Sequence, residues 1–392
     1  MSVWDEVVGH GEAVAILREA VGSGRVTHAW LFTGPPGVGK VHLARVFAAA
    51  LNCPAGGDGT CDVCRRVLRG VHPDVHLLEP EGDNLLVEDV RALREEASRS
   101  RHEGRTAVFI LDEADRMTEA AANALLKVLE EPPPEVVFVL VTRHTEALLA
   151  TIPSRARVLA FASLPPATVT SALVDGLGIA PEQAAWAAAA SHGRLARARA
   201  LLTDEAVRTR RSATLDLVER LAGGQASEAL AAAAAVVALA DEVAAASKAR
   251  QARELVELEE TFGSGRGTGT IRKRLETRHR RELRRARFDA IREALADLLG
   301  AYRDMALLRG GGPPDRLVHP DRAATLERLA AGADPAAADP AAAVRAATAL
   351  EEADRRLAIG AAPLLTLEAA FLSVQTAFTG PRIPMTRLEI RR

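Results

Sequence analysis

Two short runs in this chain carry the residue types that handle phosphate. The first is Gly34-Pro-Pro-Gly-Val-Gly-Lys40-Val41. Gly34, Gly37 and Gly39 let backbone N–H groups turn inward around phosphate oxygens, and Lys40 is spaced to reach the β- and γ-phosphates of ATP. The full pattern ends in Ser or Thr, whose hydroxyl ligands Mg²⁺; Val41 has no hydroxyl. The second run is Asp112-Glu113-Ala114-Asp115, directly after the apolar residues 107–111. Asp112 suits a Mg²⁺ ligand and Glu113 the residue that activates an attacking water. An acidic pair can equally begin a solvated loop. Downstream of a Gly-rich loop in a chain of alternating strands and helices, the phosphate chemistry is the better reading.

Three further groups extend the inventory. Thr142 ends the apolar run 136–141, where a hydroxyl can bond a γ-phosphate or orient water; an ordinary strand-terminal Thr looks the same. Arg155, after Ile152-Pro153-Ser154, is placed to act on a neighbouring molecule as an arginine finger, against the plain alternative of a surface arginine. Cys53, Cys61 and Cys64 cluster in a chain that has no other cysteine, which favours metal over disulfides. Zinc takes four ligands, and Asp58 or His72 is available as the fourth.

The elements that must position these groups are legible in outline. Apolar runs at 29–32, 107–111 and 136–141 suit parallel strands buried on both faces, and segments 87–99 and 119–130 read as helices between them. Trp30-Leu-Phe-Thr33 leads into the Gly-rich loop and residues 43–49 leave it as a helix. This predicts an α/β domain with a doubly wound parallel sheet and ligands at the strand C-termini. Beyond about residue 163 the strand signal stops. Segments 165–177, 181–191 and 194–202 read as three short helices, and 206–380 as alanine-rich helix throughout. A Gly-rich run at 263–269 reads as a mobile loop, 310–314 as a second break, and 380–392 as a frayed tail.

Composition excludes some classes. With 392 residues, 26% charged and a net charge of −2, the chain has room for two or three domains and no global field toward nucleic acid or membrane. No signal peptide and no membrane span are expected, the apolar run 231–240 being read as a buried helix, so a cytoplasmic location is expected. Lysine is scarce beside arginine, and Lys40 stands in the Gly-rich loop nonetheless. Residues 271–288 concentrate Arg272, Lys273, Arg274, Arg278, Arg280, Arg281, Arg284, Arg285 and Arg287. Without interleaved aromatics, and with Glu276 and Glu282 among them, this is a solvated face or subunit interface at least as much as a nucleic-acid track.

Taken together, these residues resemble the AAA+ clamp-loader subunits of bacterial DNA polymerase III. The order is the family's: Trp4-x-x-Val7-Val8-Gly9, the Gly34–Val41 loop, the cysteine module, His72-Pro73-Asp74, and Asp112–Asp115. There follow Asn123-Ala-Leu-Leu-Lys127-x-Leu129-Glu130-Glu131-Pro132-Pro133 and Ile152-Pro153-Ser154-Arg155. The resemblance implies a RecA-like P-loop AAA+ domain over 1–162 with a zinc module at about 53–64, a three-helix lid over 163–205, an all-α collar over 206–380 and a tail over 381–392. It implies an adenine pocket at Val7 and Val8, a Walker B role for Asp112 and Glu113, a sensor role for Thr142 and a trans arginine finger at Arg155. It further implies gamma/tau and delta subunits as partners in a pentameric ring that loads the sliding β-clamp onto primed DNA.

The departures are specific. The family's motor subunits have Ser or Thr where Val41 stands, and an arginine where Ala196 stands in Gly193-Arg194-Leu195-Ala196-Arg197. Ala156 replaces the usual cysteine after Arg155, and Asp58 falls where the family has a second zinc cysteine. Lacking a hydroxyl at position 41 and a cation at position 196 weakens the case for ATP hydrolysis. The expectation is therefore a non-motor member that donates Arg155 to a motor neighbour, with ATP and Mg²⁺ binding of its own left open. The alternatives are an active motor subunit, an autonomous AAA+ remodeller, or a zinc-dependent nucleic-acid-binding module.

Overall fold

In the computed structural model, residues 2–80, 84–98, 102–143, 145–223, 225–262, 266–331, 340–358 and 360–379 are described. The chain divides into two compact units, Met1–Leu202 and Thr203–Arg392.

The first unit is built on a five-stranded sheet of order β2-β3-β4-β1-β5, with every neighbouring pair parallel. The strands are β1 (Ala29–Thr33), β2 (Val75–Leu78), β3 (Ala107–Leu111), β4 (Val136–Thr142) and β5 (Arg157–Ala160). Around them lie α1 (Gly11–Ser23), α2 (Lys40–Asn52), α3 (Asp62–Arg69), α4 (Val87–Ala97) and α5 (Glu119–Glu130). The strand side chains alternate between two cores. Trp30, Phe32, Val108, Ile110, Val137 and Val139 pack with α1, α2 and α3. Leu31, Phe109, Leu111, Phe138 and Leu140 pack with α4 and α5 on the other face. Burial on both faces is why β1, β3 and β4 read as unbroken apolar runs. Three short helices close the unit: α6 (Pro166–Leu177), α7 (Pro181–Ala190) and α8 (Leu195–Thr203).

The second unit is helical among its described residues: α9 (Glu205–Gly223), α10 (Ala226–Phe262), α11 (Arg266–Arg309), α12 (Ala323–Ala331), α13 (Pro340–Ala358) and α14 (Pro363–Thr379). Leu298 and Tyr302 of α11, Leu350 and Leu357 of α13 and Phe371 and Phe378 of α14 share one core. A part-buried ion pair ties α9 to the turn before α12, Arg211 reaching Asp321 at 2.7 and 2.8 Å.

One expectation needs correction. The Gly-rich loop is shorter than read, since Arg266 already begins α11 and Gly267 and Gly269 are helical; residues 263–265 lie outside the described ones. The expected tail at 381–392 also lies outside them. The basic segment is helical, but the side chains of Ile271, Lys273, Arg274, Arg278 and Arg281 are not among those described; Arg272 pairs with Glu276 and Arg287 with Asp241. The apolar run 231–240 belongs to a longer stretch, Ala226–Val256, that is long and apolar enough by composition to cross a membrane. Its Ala229, Ala232, Ala233, Val236 and Ala240 line the helical core, so it is not a convincing span.

Candidate functional site

The phosphate loop joins β1 to α2. A Cβ at Gly34 would lie 2.1 Å from the Phe161 carbonyl oxygen, so that position needs glycine, while Gly37 sits at φ 73° with Arg194 above it. Lys40 opens α2 and is 5% exposed. Its Nζ donates to the carbonyls of Gly34 at 2.5 Å and Pro35 at 2.6 Å. Burial, and next the Arg143 guanidinium, lower its pKa to about 8, against the opposing pull of Asp112 and Asp115. Val41 packs against the core of its own face and offers no metal ligand.

The acidic end of β3 lies beside this loop through β4. Thr33 of β1 is in register with Thr142 of β4, and Leu111 of β3 with Leu140. Asp112 is buried and its Oδ1 accepts the Glu113 N–H at 2.9 Å. Glu113 adopts a left-handed conformation, φ 50°, which an L-residue takes only under local constraint. Its carboxylate meets Arg116 at 2.7 Å and Arg143 at 3.3 Å. Thr142 Oγ1 donates to Asp115 at 3.0 Å. The fold thus brings Gly34, Gly37, Gly39, Lys40, Asp112, Glu113 and Thr142 to one edge of the sheet. It adds Arg143, Arg116 and Asp115, whose engagement with Glu113 and Thr142 the sequence reading missed; Arg143, an arginine directly following the strand-end Thr142, was the available signal.

A cleft of about 500 Å³ opens between α1, β5 and α6, lined in part by Gly9, His10, Ile16, Val158, Leu164 and Thr168. Val7 and Val8 do not line it. Val7 packs against the α1–α2 core, and Trp4 Nε1 donates to the Gly56 carbonyl at 3.2 Å. His10, also left-handed, has Nε2 2.9 Å from the Val38 carbonyl within the phosphate loop. Arg194 lies over Gly37, Arg197 is buried and Ala196 is exposed, so of these three Arg194 is the one the fold sets against the phosphate loop.

Arg155 ends a short 3₁₀ turn, Pro153–Arg155, away from that edge. Its guanidinium is 36% exposed, pairs with Glu130 at 2.8 Å and donates to the Thr151 carbonyl at 3.1 Å.

The cysteines converge. Ligand atoms of Cys53, Asp58, Cys61 and Cys64 all lie within 4.8 Å of one another, and His72 is not in this group. Asp58 Oδ1 accepts the N–H groups of Thr60 and Cys61, both at 3.0 Å; those two bonds hold its carboxyl down at about 2. Cys53 is also lowered: burial opposes, and backbone N–H groups of Asp58, Gly57 and Ala55 prevail. Burial pushes Cys64 up. Three sulfurs and a carboxylate at this separation fit a tetrahedral zinc ion.

A family model described as "DNA polymerase III, delta subunit" matches residues 9–165. DNA polymerase III subunit delta' of Bacillus subtilis is 38% identical over 163 residues, 41% of this chain and 50% of its own length. The gamma/tau subunit of Mycobacterium bovis is 39% identical over 173 residues, 43% of this chain and 30% of its own. The tau subunit of Escherichia coli is 38% identical over 154 residues, 38% of this chain and 24% of its own. The matched part is thus half the length of the first relative and under a third of the other two.

Proposed function

We propose, from the match of residues 9–165 to a DNA polymerase III delta-subunit family model and the likeness to delta' and gamma/tau subunits, that this chain serves as the delta-prime-type subunit of a bacterial DNA polymerase III clamp loader. In this reading it is a finger donor with weak or absent ATPase of its own. One observation carries it: the phosphate loop ends in Val41, and the would-be catalytic Glu113 is paired with both Arg116 and Arg143. Removing a metal-ligating hydroxyl and neutralising the water-activating carboxylate act on the same step of phosphoryl transfer.

Gly34, Gly37, Gly39 and Lys40 keep a cradle that phosphate oxygens fit, so nucleotide binding is compatible with this role. Arg155 is partly exposed and would reach across a subunit interface to the γ-phosphate held by a gamma/tau neighbour. Such a finger stabilises charge that develops in the transition state and is worth roughly 10³–10⁵ in rate. Cys53, Asp58, Cys61 and Cys64 would hold structural zinc, which when bound cross-links their loop. The helical unit would act as the collar of a ring with gamma/tau and delta subunits, loading the β-clamp onto primed DNA in the cytoplasm.

The test is ATP turnover by a gamma/tau motor subunit reconstituted with this chain, wild type against Arg155→Ala, beside the chain alone. An inert isolated chain and a loss of at least about 100-fold on Arg155→Ala support the finger donor. Robust turnover by the chain alone, indifferent to Arg155, replaces it with the motor reading.

A further inference from the structure

The loop that carries the metal-ligating residues also holds the N-terminus of the described chain. Between Cys53 and Asp58, Gly56 and Gly57 turn their carbonyls toward the 3₁₀ turn Val3–Glu6. The Gly57 carbonyl accepts Ser2 Oγ at 2.7 Å and Val3 N–H at 3.0 Å, and the Gly56 carbonyl accepts Trp4 Nε1 at 3.2 Å. The fit is close: a Cβ on Gly57 would lie 2.6 Å from Val3 Cγ2. From that turn the chain runs on to Gly9, which is covered by Leu164, and to His10, which meets the Val38 carbonyl of the phosphate loop.

Gly56, Gly57 and Gly59 all sit at positive φ between the ligand residues, and each is entropically expensive to fix. Ligand residues gathered on one metal ion supply that fixation, since site formation and local folding are the same event. We propose that the Cys53–Cys64 loop is a clasp: when its four ligands are drawn onto zinc, Gly56 and Gly57 hold Ser2, Val3 and Trp4, and metal occupancy thereby sets the order of the segment leading to Gly9 and His10 at the cleft. This rests on the zinc reading of the four ligands and adds to it a mechanical consequence for the nucleotide-binding end of the domain. Trp4 is a positioning residue here.

Hydrogen exchange read by mass spectrometry on the full chain tests this, with metal content measured alongside. Stripping zinc with a chelator is expected to speed exchange about tenfold or more at residues 2–10 and 53–64, and to leave β1, β3 and β4 unchanged. Trp4→Phe, which removes the indole N–H together with part of a buried ring, is expected to keep the bound zinc yet speed exchange at residues 2–10. If stripping loosens 53–64 while 2–10 stays protected, the clasp is wrong and the zinc site stands. If the purified chain neither carries nor takes up zinc, both readings fall together.

Discussion

Lys40 Nζ lies 2.5 Å from the carbonyl oxygen of Gly34, so the cation of the phosphate loop is held by the loop itself. Burial is the main reason its pKa falls from 10.5 to about 8, with Arg143 second. The sign follows from linkage. Between about pH 8 and 10.5 the unfolded chain still binds a proton that the folded chain has lost, so this group makes stability rise with pH there. Below pH 8 both states are protonated and the folded state carries the full penalty. Lys40→Met lacks this window. Relative to the variant, wild type should gain about 1–3 kcal/mol between pH 8 and 10.5, measured by urea unfolding at both ends. A constant difference between the two proteins would show that Lys40 keeps an ordinary pKa.

In the proposed reading, Val41 and Glu113 are separable obstacles to ATP hydrolysis. Val41→Thr restores a hydroxyl at the first turn of α2 but leaves Glu113 between Arg116 and Arg143. The expected outcome is ATP binding at least about tenfold tighter with Mg²⁺ than with EDTA, while turnover stays within about twofold of wild type. Adding Arg143→Ala to Val41→Thr should raise turnover further. Brisk hydrolysis by Val41→Thr alone would mean that the ion pairs do not restrain Glu113.

How far the sequence reached depends on how local each signal is. β1, β3 and β4 were readable because burial on both faces leaves unbroken apolar runs. β5 was not: at the sheet edge only Leu159 of its four residues is buried, which gives no periodicity to read. β2, also at an edge, is half-buried and short. The phosphate loop and Asp112 declared themselves by spacing. The pairing of Glu113 with Arg143 did not, because it joins residues thirty apart through the register of β3 and β4. The convergence of Asp58 with the cysteines was legible only as a candidate, since His72, eight residues past Cys64, was also in reach and the fold alone separates them.

On the proposed zinc reading, Asp58 would have two tasks that a substitution can split. Oδ1 accepts two backbone N–H groups, which leaves Oδ2 as the oxygen available to a metal. Asp58→Ala removes the ligand and also leaves those N–H groups without their acceptor, so zinc affinity should fall by about 10- to 100-fold. Asp58→Cys restores a fourth sulfur and should bind zinc at least as tightly as wild type. Competition with a chromogenic chelator reads both. Equal affinity in wild type and Asp58→Ala would remove Asp58 from the ligand set.

In the proposed role, Glu130 is the group Arg155 would have to leave before acting on a neighbour. The pair is 2.8 Å apart, but both side chains are a third to a half exposed, at 36% and 50%. Exposed pairs are worth about 0–1 kcal/mol, so the contact restrains the guanidinium weakly, by about fivefold at most. Glu130→Gln should therefore raise turnover in the reconstituted complex by no more than about fivefold and leave the stability of the chain within about 0.5 kcal/mol. Arg155→Ala, by contrast, should remove at least about 100-fold, because the finger's contribution arises where charge develops in a water-poor interface. The two variants thus differ in sign as well as in size. If Glu130→Gln instead slowed turnover as severely as Arg155→Ala, the ion pair would be a support that holds the finger in its working pose, and the outward swing of Arg155 would have to be abandoned.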